Sequence, residues 1–213
     1  MAGSASGDTL HGEFSADWTP AAPLSLLFLH GYGANEHDLS SLGPMLALTV
    51  PWASLRAPLT VAPGGYAWFP LLSPGDPDPA HATDAVWQWI DASLAPDARV
   101  IAVGFSQGGA MATQLLRTRP ERVAATVVLS GYVRPAPQPA DDRLATERPA
   151  VFWGRGGRDP MIGADAIERT SQWLPAHSTL TERVYPSLAH AISDQEIDDV
   201  RAFLIDRLWR SGG

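Results

Sequence analysis

Short, continuous apolar runs alternate with helix-period stretches along most of the chain, which is the pattern of β-α-β units around a mainly parallel sheet. The runs at 24–29, 53–56, 99–103, 124–129, 150–153 and 180–185 are read as strands, expected to be buried on both faces in a parallel sheet. Helices are expected at 38–48, 80–94, 107–118, 164–174 and 193–208; in the last, Ile197, Val200, Leu204 and Leu208 recur at three- and four-residue steps and define one buried face. No internal repeat is present. The stretches 73–79 and 133–149 are Pro-rich and polar, so neither is expected to be regular; each is an ordinary connecting loop, or else a lid or partner site. Residues 1 to about 20 either add an edge strand or fray. A chain of 213 residues with 45% apolar content has enough material for one continuous core, so a single domain over 1–213 is expected.

Charge narrows the partners. With 15 Lys+Arg against 23 Asp+Glu, the net charge of −8 argues against nucleic acid and anionic membranes, which require clustered cations. There is no cysteine, and every basic residue is Arg, so a thiolate zinc site, a cysteine nucleophile and a lysine nucleophile are all excluded. The start MAGSASGDTL has no basic, apolar signal pattern, and no apolar run reaches the roughly 18 residues of a membrane span. A cytoplasmic protein without a stable membrane anchor is the expectation.

Gly104-Phe105-Ser106-Gln107-Gly108 matches G-x-S-x-G directly after the run 99–103 and directly before the helical pattern 107–118. A serine on such a strand-to-helix turn is held in a strained conformation, and small residues two positions either side let strand and helix approach closely. Its hydroxyl is then presented at a helix N-terminus, whose free N–H groups favour developing negative charge. The competing reading is a Gly-rich junction whose serine only caps the helix.

A serine hydroxyl is not ionised at neutral pH, so a nucleophile there needs a histidine base and an acid to orient it. In a sheet of this type such groups belong on loops at the carboxyl ends of the strands. His190 follows the run 180–185, and Asp159 follows the run 150–153 in a Gly/Arg turn. The order Ser, Asp, His is that of an α/β-hydrolase. His11, His37, His81 and His177 read as solvated or helix-end residues.

His30-Gly31-Tyr32-Gly33 ends the first strong strand. Two glycines there let the Tyr32 N–H turn toward Ser106 and form an oxyanion hole with the Gln107 N–H; a plain tight turn is the alternative. His30 itself reads as a structural hydrogen-bonder rather than a base. Tyr66, Trp68, Phe69 and Met111 either line an apolar substrate wall or pack the core, and Gly64-Gly65 suggests a bend that brings their segment over the site.

The segments LHGYGANEHDL (29–39), RAP (56–58), GGYAWF (64–69), GFSQGGAMA (104–112), LSGY (129–132) and HAIS (190–193) together resemble the phospholipase/carboxylesterase family, the acyl-protein-thioesterase-like group of α/β-hydrolases. The resemblance runs from about residue 24 to 208. It implies an α/β-hydrolase fold, a mostly parallel central sheet flanked by helices with no large lid domain. It also implies a small serine hydrolase without metal or cofactor, acting on a small-molecule carboxylic ester or thioester and pairing as a homodimer. Carried over by position, Ser106 is the nucleophile, Asp159 the acid, His190 the base, and Tyr32 and Gln107 the oxyanion donors. Two places depart from the family. Trp153-Gly154 precedes a longer Gly/Arg turn where a His-Gly pair is usual, which leaves Asp165 as the alternative acid; Ser187 and Leu188 stand where Gly and Met are common. With no large lid insertion, short to medium acyl esters are the expected substrates. Thioester or lysophospholipid hydrolysis and acyl transfer to an alcohol would use the same residues, and a pocket kept without its chemistry would make a ligand-binding homologue.

Overall fold

The apolar runs become the strands of one seven-stranded sheet in the computed structural model of this chain, which describes residues 10–71 and 78–209, with side chains described as far as 207. In chain order the strands are Gly12–Phe14 (β1), Leu24–Leu29 (β2), Trp52–Leu55 (β3), Leu59–Ala62 (β4), Gly65–Ala67 (β5), Arg99–Phe105 (β6), Val123–Leu129 (β7), Ala150–Gly156 (β8) and Thr179–Tyr185 (β9). The helices are Leu42–Leu46 (α1), Ala80–Ser93 (α2), Gln107–Thr118 (α3), Asp141–Glu147 (α4), Ala164–His177 (α5) and Asp194–Trp209 (α6). The sheet order is β1-β3-β2-β6-β7-β8-β9, parallel throughout except for β1, which runs antiparallel to β3 at the edge.

Each central strand is buried on both faces because alternate side chains enter two separate cores. Leu27, Leu29, Val151 and Trp153 pack under α2, α3, α4 and α5. Leu26, Phe28, Val127 and Phe152 face α1 and α6, where Ile197, Val200 and Leu204 are buried as the helical spacing requires. The side chain of Leu208 lies outside the described residues. No helix among the described residues is long and apolar enough to cross a membrane.

Several expectations are corrected. The run 180–185 is a strand but not one buried on both faces: β9 lies at the sheet edge and carries Thr181, Glu182 and Arg183, and only Tyr185 is buried. The helix expected at 38–48 shrinks to α1, because Asn35 turns the chain through bonds from the His37 and Asp38 N–H groups, and Ala47 ends the helix with φ 50°. The stretch 133–149 is not wholly irregular. Its Pro-free part forms α4, with Asp141 and Asp142 in the first turn and an Arg143–Glu147 pair at 2.7 Å. The buried Arg117 guanidinium clamps this segment, donating to both Asp141 oxygens and to the carbonyls of Arg134 and Ala136. The Gly64-Gly65 bend is the turn of the β4–β5 hairpin, with φ +73° at Gly64 after Pro63. β8 continues through Gly156, so part of the expected Gly/Arg turn is strand. Of the Pro-rich stretch 73–79, residues 73–77 lie outside the described residues.

Candidate active site

Ser106 is the single residue between β6 and α3, and its backbone sits at φ 56°, ψ −116°, a region that L side chains rarely adopt. The turn is held open for it by the flanking glycines: a Cβ on Gly104 would collide with the Gly108 carbonyl, and one on Gly108 with the Leu29 carbonyl. The Ser106 N–H donates to the Leu129 carbonyl at 2.8 Å, tying the turn to the end of β7.

The hydroxyl points at His190. Ser106 Oγ and His190 Nε2 are 2.9 Å apart, and His190 Nδ1 lies 2.7 Å from Asp159 Oδ2. Asp159 is nearly buried, with 3% of its side chain exposed, and its second oxygen accepts from the Met161 N–H at 2.8 Å. A carboxylate so placed holds the imidazole with its proton on Nδ1, which leaves Nε2 free to accept from the serine. Asp165 lies in the first turn of α5, and it is Asp159 that meets His190.

The Gly/Arg turn has a reason that the sequence reading missed. A Cβ on Gly156 would strike the carbonyls of Leu188 and Ala189, and one on Gly157 would meet Pro186. With both side chains absent, the loop 186–193 packs down on the end of β8, where Gly157 and Arg158 donate to the Tyr185 and Leu188 carbonyls. Acid and base are thereby fixed against each other. The Phe105 ring, 4.8 Å from the imidazole, packs against it from the strand that carries the serine.

The His30–Gly33 segment lies against the same turn, with Gly31 so near that a Cβ there would sit 3.5 Å from Ser106 Cβ. His30 is fully buried; its Nε2 accepts from the Ala57 N–H at 3.0 Å, which places the proton on Nδ1, 2.7 Å from the Gly31 carbonyl. Burial lowers its pKa, so the ring is neutral at pH 7 and acts as a strut. Beyond it Gly33, at φ 81°, donates to the Tyr66 carbonyl, and Tyr66 donates back to Ala34. Arg56 pairs with the buried Glu36 and lies over the Tyr66 ring, and that hydrogen-bonded pair holds the Glu36 carboxyl below the usual carboxylate range. The Gln107 N–H is in the first turn of α3, where no intrahelical acceptor exists.

The Gln107 side chain is a further anchor that spacing alone did not reveal. Buried at 2% exposure, its Oε1 accepts from the Trp68 N–H and its Nε2 donates to the Phe69 carbonyl, so the residue after the serine pins the segment following β5. This corrects the reading of two wall residues. Trp68 and Met111 are 2% and 0% exposed and are consumed by core packing, Trp68 also donating from its indole to the His30 carbonyl. Tyr66 is half-buried beside Arg56. Phe69 does line a cavity, of about 250 Å³, together with Leu71, Tyr132, Arg134, Met161 and Ile162. Of the other histidines, His11, His37 and His81 are exposed, and His177 ends α5. Among the described residues no group of His, Asp and Glu is arranged to hold a metal ion.

The phospholipase/carboxylesterase family model matches residues 19–207. The chain is similar to acyl-protein thioesterase 1 of Mycosarcoma maydis, 27% identical over 214 residues that cover 84% of this chain and 89% of that protein. It is also similar to a probable carboxylesterase of Oryza sativa subsp. japonica, 26% identical over 210 residues, 87% of this chain and 78% of that protein. Its fold is that of the Bacillus cereus carboxylesterase crystal structure, with a TM-score of 0.77, 22% identity, and coverage of 94% of this chain and 96% of that one.

Proposed function

The chain belongs to the phospholipase/carboxylesterase family and is a hydrolase of the carboxylic-ester type, and from that premise we propose that it works through Ser106, His190 and Asp159 by way of an acyl-enzyme. The observation that carries the reading is the unbroken line of contacts from Ser106 Oγ to His190 at 2.9 Å and from His190 to Asp159 at 2.7 Å. In the first step Ser106 Oγ attacks the ester carbonyl while His190 Nε2 takes its proton. The Tyr32 and Gln107 N–H groups receive the oxyanion, and the start of α3 adds its dipole to their pull. His190 then hands its proton to the departing alcohol, and water, deprotonated by the same nitrogen, releases the acid. Asp159 holds the imidazole in one tautomer throughout and stabilises it when it is charged.

The substrates are esters of short to medium acyl chain. A cavity of about 250 Å³ supports this: Phe69, Leu71, Met161 and Ile162 give it an apolar portion beside Tyr132 and Arg134, and it is below the size that encloses a long chain. It adjoins the reacting groups through the chain itself: Met161 donates to Asp159, and the Phe69 carbonyl binds Gln107. Thioester cleavage is the second reading, favoured by the similarity to an acyl-protein thioesterase. Turnover of p-nitrophenyl esters of increasing acyl length, each set beside the thioester of the same acid, tests both. The expected result is highest kcat/KM for the shorter oxoesters and a loss on the order of 10⁴-fold in Ser106→Ala. Near-normal turnover by that variant would overturn the mechanism.

A further inference from the structure

Glu196 has no role in the chemistry above, yet it is the one carboxyl whose two oxygens are both buried without a hydrogen-bond partner among the described residues. Its residue exposure is 0%. It stands in the first turn of α6, and its Oε1 occupies the space left by the missing side chain of Gly154 in β8. On its other side lie Leu42, Leu46, Val103, Leu129 and Ile192, which border a small cavity. An ionised carboxylate in such surroundings is costly, whereas a protonated one is tolerated.

The residue is also placed to act on His190. Ser193-Asp194-Gln195-Glu196 has the spacing of a capping box, and the Glu196 N–H donates to Ser193 Oγ at 3.2 Å. Ser193 ends the loop that carries His190. We infer that Glu196 holds a proton in the folded protein and serves as a positioning residue: neutral, it seats the start of α6 against β8 and so fixes the His190 loop, and its ionisation draws that turn toward water and pulls His190 away from Ser106. This rests on the reading of Ser106 and His190 given above.

Burial pushes the Glu196 carboxyl up to about 7. The Ser193 N–H, close by but outside hydrogen-bonding geometry, offsets this in part, and the charge of Asp199 adds to the rise. The charged groups on the surrounding elements are few. Asp199 on α6 accepts from Tyr185 Oη at 2.9 Å and faces Arg183 of β9 at 3.8 Å. Arg155 of β8 turns to the opposite face, over Trp153 and toward Glu182. Arg201, further along α6, donates to the Met45 and Leu46 carbonyls after α1 begins. In the loop, His190 is engaged with Asp159. None of these cations pairs with Glu196.

The sign follows from the folded value lying above the ordinary 4.5. The folded state binds the proton more tightly, so the stabilisation is complete below 4.5 and is lost as pH rises toward about 7. The test compares wild type with Glu196→Gln, since glutamine has nearly the same shape and keeps the backbone bond to Ser193 but cannot ionise. Thermal unfolding and kcat/KM on a p-nitrophenyl ester are both followed from pH 4 to 9. Wild type should lose stability relative to Glu196→Gln as pH rises toward about 7, and its kcat/KM should show an alkaline fall near that pH that the variant lacks. A stability difference that does not change with pH would overturn the protonated carboxyl. A stability difference that does change, with superimposable activity profiles, would overturn the positioning role. Absence of turnover in wild type at every pH would instead sink the hydrolytic site, while the unfolding data would still decide the proton. If Glu196→Gln does not fold, the infrared band of a protonated carboxyl is sought in wild type at pH 6, and its absence overturns the proposal.

Discussion

Ser106 keeps a backbone conformation that costs on the order of 1–3 kcal/mol for a non-glycine residue, and the cost is tolerated because the turn is fixed from outside. Its N–H is bound to Leu129, and the glycines on either side remove every side chain that would compete for the space. The serine then meets a histidine whose tautomer is set by Asp159, and Asp159 in turn is held by the Met161 N–H. Replacing Asp159 by Asn keeps an oxygen for Met161 but presents His190 with the wrong partner. The expected outcome is a fall in kcat on the order of 10⁴-fold with the circular dichroism spectrum unchanged; turnover within tenfold of wild type would contradict the orientation role. At this scale the convergence of Ser106, Asp159 and His190 was legible, because each follows an apolar run and parallel strands deliver such residues to one edge. The anchoring by the Gln107 side chain and the packing at Gly156 and Gly157 were not. Both rest on contacts with Trp68, Phe69 and the loop 186–189, partners that local spacing does not mark.

Elements were legible wherever hydrophobic period decided them, and not where turn chemistry did. β2 and α3 fall where the pattern places them, since both are buried along most of their length. The helix at 38–48 gave way to α1 because Asn35 offers its own hydrogen bonds to the chain, which no count of apolar positions registers. α4 hid inside a stretch whose flanking prolines dominated its composition, and its docking depends on Arg117, far away in sequence. α3 and the end of β2 approach closely at Gly108. A methyl group at Gly108 in the helix would raise intrinsic helix propensity by about 1 kcal/mol, yet it would also meet the Leu29 and His30 carbonyls. Overpacking wins, so Gly108→Ala should destabilise the protein by about 3 kcal/mol in urea unfolding. A stabilised variant would show that helix and strand are not in the contact described.

The whole molecule is organised by one directional fact. β2, β6, β8 and β9 are parallel, so the His30–Gly33 loop, Ser106, Asp159 and His190 all emerge at the same edge of the sheet, with the serine on a central strand. Two cores, one on each face, support that edge. The parallel class of the sheet could be read from unbroken apolar runs. Its strand order could not, because pairing is settled by which runs meet across the core, and periodicity carries no information on that. The central claim is that this edge assembles an activated serine in the folded protein. It is tested most directly by treating wild type and Ser106→Ala with a fluorophosphonate and reading intact mass followed by peptide mapping. One stoichiometric adduct, on Ser106 and on wild type alone, is the predicted result; an unlabelled wild type, or equal labelling of both proteins, would contradict it.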